Sequence, residues 1–97
     1  MSGVRVVVLL PGVLREHAGG LDTIGVDLPD GARAEDLLAD VSRRWPALGR
    51  RLREDTGNLR RHVNLFVDGE DVRALDGPRT ALMDGAVVHV LPSVAGG

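Results

Sequence analysis

The chain has 97 residues, 43% of them hydrophobic and 27% charged, with a net charge of −2. That length builds one small domain, and the charge argues against a nucleic-acid or membrane-surface partner. With no cysteine, disulfides, thiolate metal sites and a cysteine nucleophile are excluded; with no signal-peptide pattern and no apolar run of about 18 residues, the chain reads as soluble and cytoplasmic.

Val4 to Leu10 is β-branched and apolar, the pattern of a strand. Arg5 prefers water, so Val4, Val6, Val8 and Leu10 should face the core and Arg5, Val7 and Leu9 the other side. Pro11-Gly12 breaks the strand, and residues 14–20 read as a long loop, free to move, with Gly19-Gly20 as its turn signal. Leu21 to Leu28 reads as a second strand with Ile24, Val26 and Leu28 alternating, which makes a hairpin with the first. After the turn Pro29-Asp30-Gly31, the spacing of Ala34, Leu37, Leu38, Val41 and Trp45 predicts a helix over 34–45. Asp30 is the nearest N-cap candidate, and Pro46 ends the helix. Leu48 and Leu52 predict a further helical turn, and Glu54 to Asn58 a polar loop.

His62 to Val67 reads as the third strand, with Val63, Leu65 and Val67 inward and Asn64 and Phe66 outward. Asp68-Gly69 is a hairpin turn signal leading to a fourth strand over Glu70 to Arg73. Leu75 to Met83 is irregular. Asp84-Gly85 then turns the chain into a last strand, Ala86 to Leu91, with Val88 and Val90 inward and Val87, His89 and Leu91 outward. Pro92 should stop that strand, since it has no N–H for a ladder. One domain over 1–92 is therefore expected, followed by an extended, mobile tail over 93–97. One helix covers one face of a mixed sheet, and the open face carries Val7, Phe66, His89 and Leu91, a candidate partner surface. The tail, Ser93-Val94-Ala95-Gly96-Gly97, ends in two residues without side chains and can thread a carboxylate into a narrow slot.

The order of two strands, a helix and three strands, the V-N-L-F-V-D-G-E-D-V hairpin at 63–72, the D-G-A-V-V-H-V-L-P run at 84–92 and the closing A-G-G resemble the ubiquitin-like sulfur carriers of the ThiS/MoaD type. The opening P-G-V-L-R-E-H-A-G-G and the closing L-P-S-V-A-G-G look most like the carriers of actinobacterial cysteine biosynthesis. The 53–62 loop and the long first loop exceed those of the smallest thiamin-pathway carriers. The resemblance implies an α+β, β-grasp (ubiquitin-like) fold with a mixed sheet of about five strands and one main helix.

It also implies that Gly97 is adenylated and then converted to a thiocarboxylate, with Val94, Ala95 and Gly96 threading into the partner. The chain has no phosphate-binding loop, no lysine and no cysteine, so it lacks the means to activate itself. It would be carrier and co-substrate, not an enzyme, and would hold no cofactor; an E1-like adenylyltransferase/sulfurtransferase would use ATP and Mg²⁺ on its behalf. The implied acceptor is an activated serine derivative on a cysteine-synthase-type enzyme, with a metalloprotease to release product. The alternatives are the molybdopterin synthase small subunit, docking on the large subunit, a ubiquitin-like protein modifier, and an interaction module whose tail does no chemistry.

Weaker patterns have plain explanations. His17, His62 and His89 lack metal-ligand spacing, so no metal site is expected. Arg50, Arg51, Arg53, Arg60 and Arg61 form a basic region, either a solvated face or a dock for an acidic surface. The carboxylates at 68–71 belong to a hairpin, and Trp45 to core or helix-end packing.

Overall fold

The computed structural model describes residues 3–92. The expected tail over 93–97 lies outside the described residues. Five strands form one mixed sheet in the order β2-β1-β5-β3-β4. They are β1 (Gly3–Leu9), β2 (Thr23–Pro29), β3 (Val63–Val67), β4 (Glu70–Asp71) and β5 (Val87–Pro92). β1 and β5 run parallel in the centre, and the other neighbours are antiparallel.

The strand parity expected from the sequence holds throughout. Val4, Val6, Val8, Ile24, Val26, Val63, Leu65, Val88 and Val90 are buried on one face. α2 (Ala34–Arg44) covers that face with Ala34, Leu37, Leu38 and Val41, and α3 (Pro46–Leu52) adds Leu48 and Leu52. Strand, crossover helix and central parallel pair together make a β-grasp fold.

Several boundaries differ from expectation, each for a local reason. Residues 14–20 are not a loose loop. α1 (Gly12–Arg15) and a 3-10 turn at 16–18 bury Leu14 and Ala18, and Gly19 and Gly20 close the segment at φ 64° and 85°. β2 consequently starts at Thr23 rather than Leu21, after Leu10 N–H has bonded to the Asp22 carbonyl at 2.9 Å. α2 ends at Arg44, because Pro46 forces Trp45 out of the helical region (φ −131°, ψ 78°) and itself begins α3. The expected single turn near Leu48 is thus a seven-residue helix, and the one main helix is accompanied by two shorter ones. The N-cap of α2 is Arg33, not Asp30: the Asp36 carboxylate reaches back to accept from Arg33 N–H at 2.8 Å.

The fourth strand stops at Asp71 instead of reaching Arg73. The Asp71 carboxylate accepts from Arg73 N–H at 2.9 Å and diverts the chain into a 3-10 turn at 72–74. The irregular stretch that follows is ordered by Thr80, which is buried. Its hydroxyl donates to the Gly77 carbonyl at 2.7 Å and accepts from Asp76 N–H at 3.2 Å. Pro92 does not stand beyond β5 but is its last residue, paired with Val63. No helix among the described residues is long and apolar enough to cross a membrane.

Candidate functional site

β5 carries the chain toward its terminus from the centre of the sheet, and its start is held on both sides. Toward β1, the Asp84 carboxylate accepts from Arg5 N–H at 2.8 Å, Gly85 N–H donates to the Arg5 carbonyl at 2.8 Å, and Val7 N–H donates to the Ala86 carbonyl at 3.0 Å. Toward β3, Asp68 N–H donates to the Val87 carbonyl at 2.8 Å while its carboxylate accepts from Val87 N–H at 2.9 Å. Asp68 and Gly69 both have positive φ, 50° and 89°, the geometry a tight hairpin of this twist requires.

The far end of β5 outruns β1. Pairing with β1 ends at Leu9↔His89, whereas pairing with β3 continues to Val63↔Pro92. A groove lies along this free edge, bordered by Pro11, Arg15, Thr23, His89 and Leu91. The Arg15 guanidinium is held there by donating to the Leu10 carbonyl at 3.1 Å. Five residues remain after Pro92, enough to reach roughly 17 Å when extended. Val94, Ala95, Gly96 and Gly97 fall among these and lie outside the described residues.

The open sheet face gathers the other expected residues. Register puts Leu9, His89, Phe66 and Asp71 in one row across the strands, with Val7 and Val87 in the next row. Phe66 and Val7 are half-buried, His89 is exposed, and Leu91 is 44% exposed. The four expected patch residues therefore share one face. Leu9 and Val87 join them; their alternation had already assigned them to this side, which is the signal that could have included them in the patch. Arg5 and Asp27 border the patch, paired at 2.9 Å, with the Arg5 guanidinium lying over Gly25; a Cβ at Gly25 would stand 2.9 Å from it. On the opposite border Arg73 donates to Asn64 Oδ1 at 2.9 Å.

Among the described residues no group of three or more His, Asp or Glu could hold a metal ion. The three histidines are on separate elements: His17 beside Glu16, His62 before β3 and His89 on β5. Trp45 packs against the core as expected, although its buried indole N–H has no partner among the described residues.

Comparison with known proteins fits this geometry. The sulfur carrier protein CysO of Mycobacterium tuberculosis is 35% identical over 96 residues, covering 97% of this chain and all of that protein. Small archaeal modifier protein 3 of Haloferax volcanii is 44% identical over 68 residues, 70% of this chain and 73% of that one. Among solved structures, the BexX/CysO complex of Amycolatopsis orientalis matches with a TM-score of 0.82 at 35% identity, covering 95% of this chain and 99% of the matched one. The ubiquitin-like architecture expected from the sequence is thereby matched over nearly the whole chain. Residues 8–97 match the ThiS family, and the chain belongs to that family.

Proposed function

We propose that this protein is a cytoplasmic sulfur carrier whose Gly97 carboxylate is activated and thiolated by a separate enzyme, and that it serves cysteine biosynthesis. The observation that carries the reading is the junction of a firmly held central strand, the Phe66–His89–Leu91 face and a five-residue end closing in Gly96-Gly97. Near-full-length similarity to CysO supports the choice of pathway.

The chemistry follows from the end group. A carboxylate is a poor acyl donor. Attack of a Gly97 oxygen on the α-phosphorus of ATP forms an acyl-adenylate and releases pyrophosphate. A hydrosulfide equivalent delivered by the E1-like enzyme then adds to the carbonyl, AMP leaves with the electron pair of the broken C–O bond, and a thiocarboxylate remains. ATP and Mg²⁺ belong to that enzyme, and this chain supplies only the acyl group. The thiocarboxylate sulfur next attacks the activated carbon of a serine derivative on a cysteine-synthase-type enzyme, displacing its leaving group. Hydrolysis of the resulting acyl link, by a metalloprotease, returns the Gly97 carboxylate.

A second reading is favoured by the similarity to a small archaeal modifier protein: an amine, not sulfur, takes the acyl group. The absence of lysine excludes lysine-linked chains of this protein but leaves single conjugation open.

Intact-mass spectrometry after incubation with an E1-like adenylyltransferase, ATP and a sulfur donor tests the proposal. The thiocarboxylate adds about 16 Da, must depend on ATP and must be alkylatable, which separates it from a Met83 sulfoxide. Deleting Gly97 shortens the reach by about 3.3–3.6 Å, too much for attack geometry at about 3–3.5 Å, and should abolish the gain. An alkylatable gain in the deletion variant would show that Gly97 is not the site.

A further inference from the structure

The arginines of the chain are concentrated in one stretch, part of which lies beside the end of β5. Seven of the twelve arginines, but only two of the fourteen carboxylates, fall within residues 43–61, although the whole chain is net acidic. Within that stretch the fold draws Arg50 and Arg60 together from ten residues apart. Arg60 Nε donates to the Arg50 carbonyl at 2.9 Å, and Arg60 N–H donates to the Leu52 carbonyl at 2.9 Å. The turn is closed by Val63 N–H, which donates to the Arg60 carbonyl at 3.0 Å, and by Arg73 Nη2, which donates to the same carbonyl at 3.1 Å.

That turn stands at the tail exit, because Val63 is the residue paired with Pro92. Arg61 and His62 in the turn, and Arg50 and Arg51 on the helix whose Arg50 carbonyl meets it, are exposed. Arg5, Arg43 and Arg44 have carboxylate partners; among the described residues, Arg50, Arg51, Arg53, Arg60 and Arg61 have none.

We infer that Arg50, Arg51 and Arg61 form a basic collar at the tail exit, which docks against an acidic protein rim flanking the slot that receives the chain end. The inference rests on the carrier reading and adds the chemistry of the partner surface. Charge complementarity selects this occupant: the three exposed guanidiniums of Arg50, Arg51 and Arg61, without carboxylate partners among the described residues, steer encounter with a negative surface and turn the exit toward it. The apolar strip on the sheet face then supplies the salt-insensitive part of the interface.

The test uses the full chain and a purified E1-like adenylyltransferase from the same genome, with the rate of ATP-dependent thiocarboxylate formation as readout. In R50E/R61E, KM for the carrier should rise at least about tenfold at low salt with kcat unchanged, since exposed charges act mainly on encounter. The difference from wild type should shrink as ionic strength approaches 1 M, where the Debye length is about 3 Å. Phe66→Ala should instead raise KM by a factor that salt leaves unaltered. R50Q/R61Q, which removes charge without reversing it, should fall between wild type and R50E/R61E. Matching melting temperatures establish that the variants are folded; should R50E/R61E be unfolded, R50Q/R61Q decides by the same criteria. A wild-type KM in the folded variants, or a rise that persists unchanged at high salt, overturns the collar alone. Wild-type protein that gains no thiocarboxylate overturns the carrier reading and the collar with it.

Discussion

Gly49→Ala is the substitution that most directly probes how α2 and α3 are held together. Gly49 is buried in α3, and a Cβ there would stand 2.5 Å from Ser42 Oγ, 2.6 Å from Ser42 Cβ and 2.7 Å from Ser42 Cα. Ser42 cannot swing its hydroxyl away freely, because it donates to the Leu38 carbonyl at 2.7 Å. Even without that hydroxyl, the clash with the main chain of Ser42 remains, so the helices must part by about 0.7 Å to reach the 3.4 Å of ordinary van der Waals separation. A gap of about 0.5–1 Å forfeits a quarter to a half of the dispersion energy of each atom pair across it, and Leu38, Val41, Leu48 and Leu52 lie at this packing layer. Overpacking of this kind costs about 1–3 kcal/mol, while alanine's better helix propensity returns about 1 kcal/mol. With main-chain atoms in the clash, the cost should sit at or above the upper end of its range. We therefore expect a net loss of about 2 kcal/mol or more, at about 4–8 °C in Tm per kcal/mol for a domain of this size. Urea unfolding followed by circular dichroism measures it. Gly12→Ala is the control: its Cβ meets nothing within 4 Å, so it should be neutral or stabilising by less than about 1 kcal/mol. Ser42→Gly in the Gly49→Ala background should restore part of the loss, since it removes two of the three close atoms. A Gly49→Ala protein at least as stable as wild type would refute the reasoning about the helix pair.

Two further outcomes are expected. Phe66→Ala should weaken binding of an E1-like partner while lowering stability by less than about 1.5 kcal/mol, because its ring lies on the open face, whereas Leu65→Ala, on the fully buried face, should cost about 2–5 kcal/mol in the same urea titration. Asp84→Ala leaves Arg5 N–H without its acceptor and should cost about 0.5–1.5 kcal/mol, with faster amide exchange at Arg5, while Asp84→Asn, which keeps a side-chain carbonyl, should recover most of it.

Alternation along the strands is the most legible part of the sequence. A period of two has only two solutions per strand, and a charged or polar residue such as Arg5 or His89 selects between them, which is why Val7, Phe66, His89 and Leu91 can be placed on one face from the sequence alone. Helix 12–15 is hidden because Pro11, Gly12, Gly19 and Gly20 all look like breakers, yet Pro11 serves as its N-cap residue, Gly12 is its first residue, and Gly19 is the left-handed cap of the 3-10 turn that follows it. The i, i+4 spacing of Leu14 and Ala18 is the signal that points to it. Asp71 defeats the reading of the fourth strand because a short carboxylate bonding two residues ahead competes with the ladder. The arginine collar is visible in the sequence only as composition. What gathers it is the return of the 53–62 loop to α3, an approach that no local pattern encodes.

The parallel pairing of β1 with β5 also has a mechanical meaning. In the proposed reaction, a partner that holds the chain end loads β5, which is bonded on one flank to β1 and on the other to β3. Because the pull lies along the strand axis, all the rungs of both ladders are loaded together in shear, and none can be opened first as in a zipper. Asp68 and Asp84 bolt the trailing end of β5 against the same load. Load entering at Pro92 is thus shared between the β1 and β3 ladders, and the proposed carrier reaction would leave the open sheet face in its register.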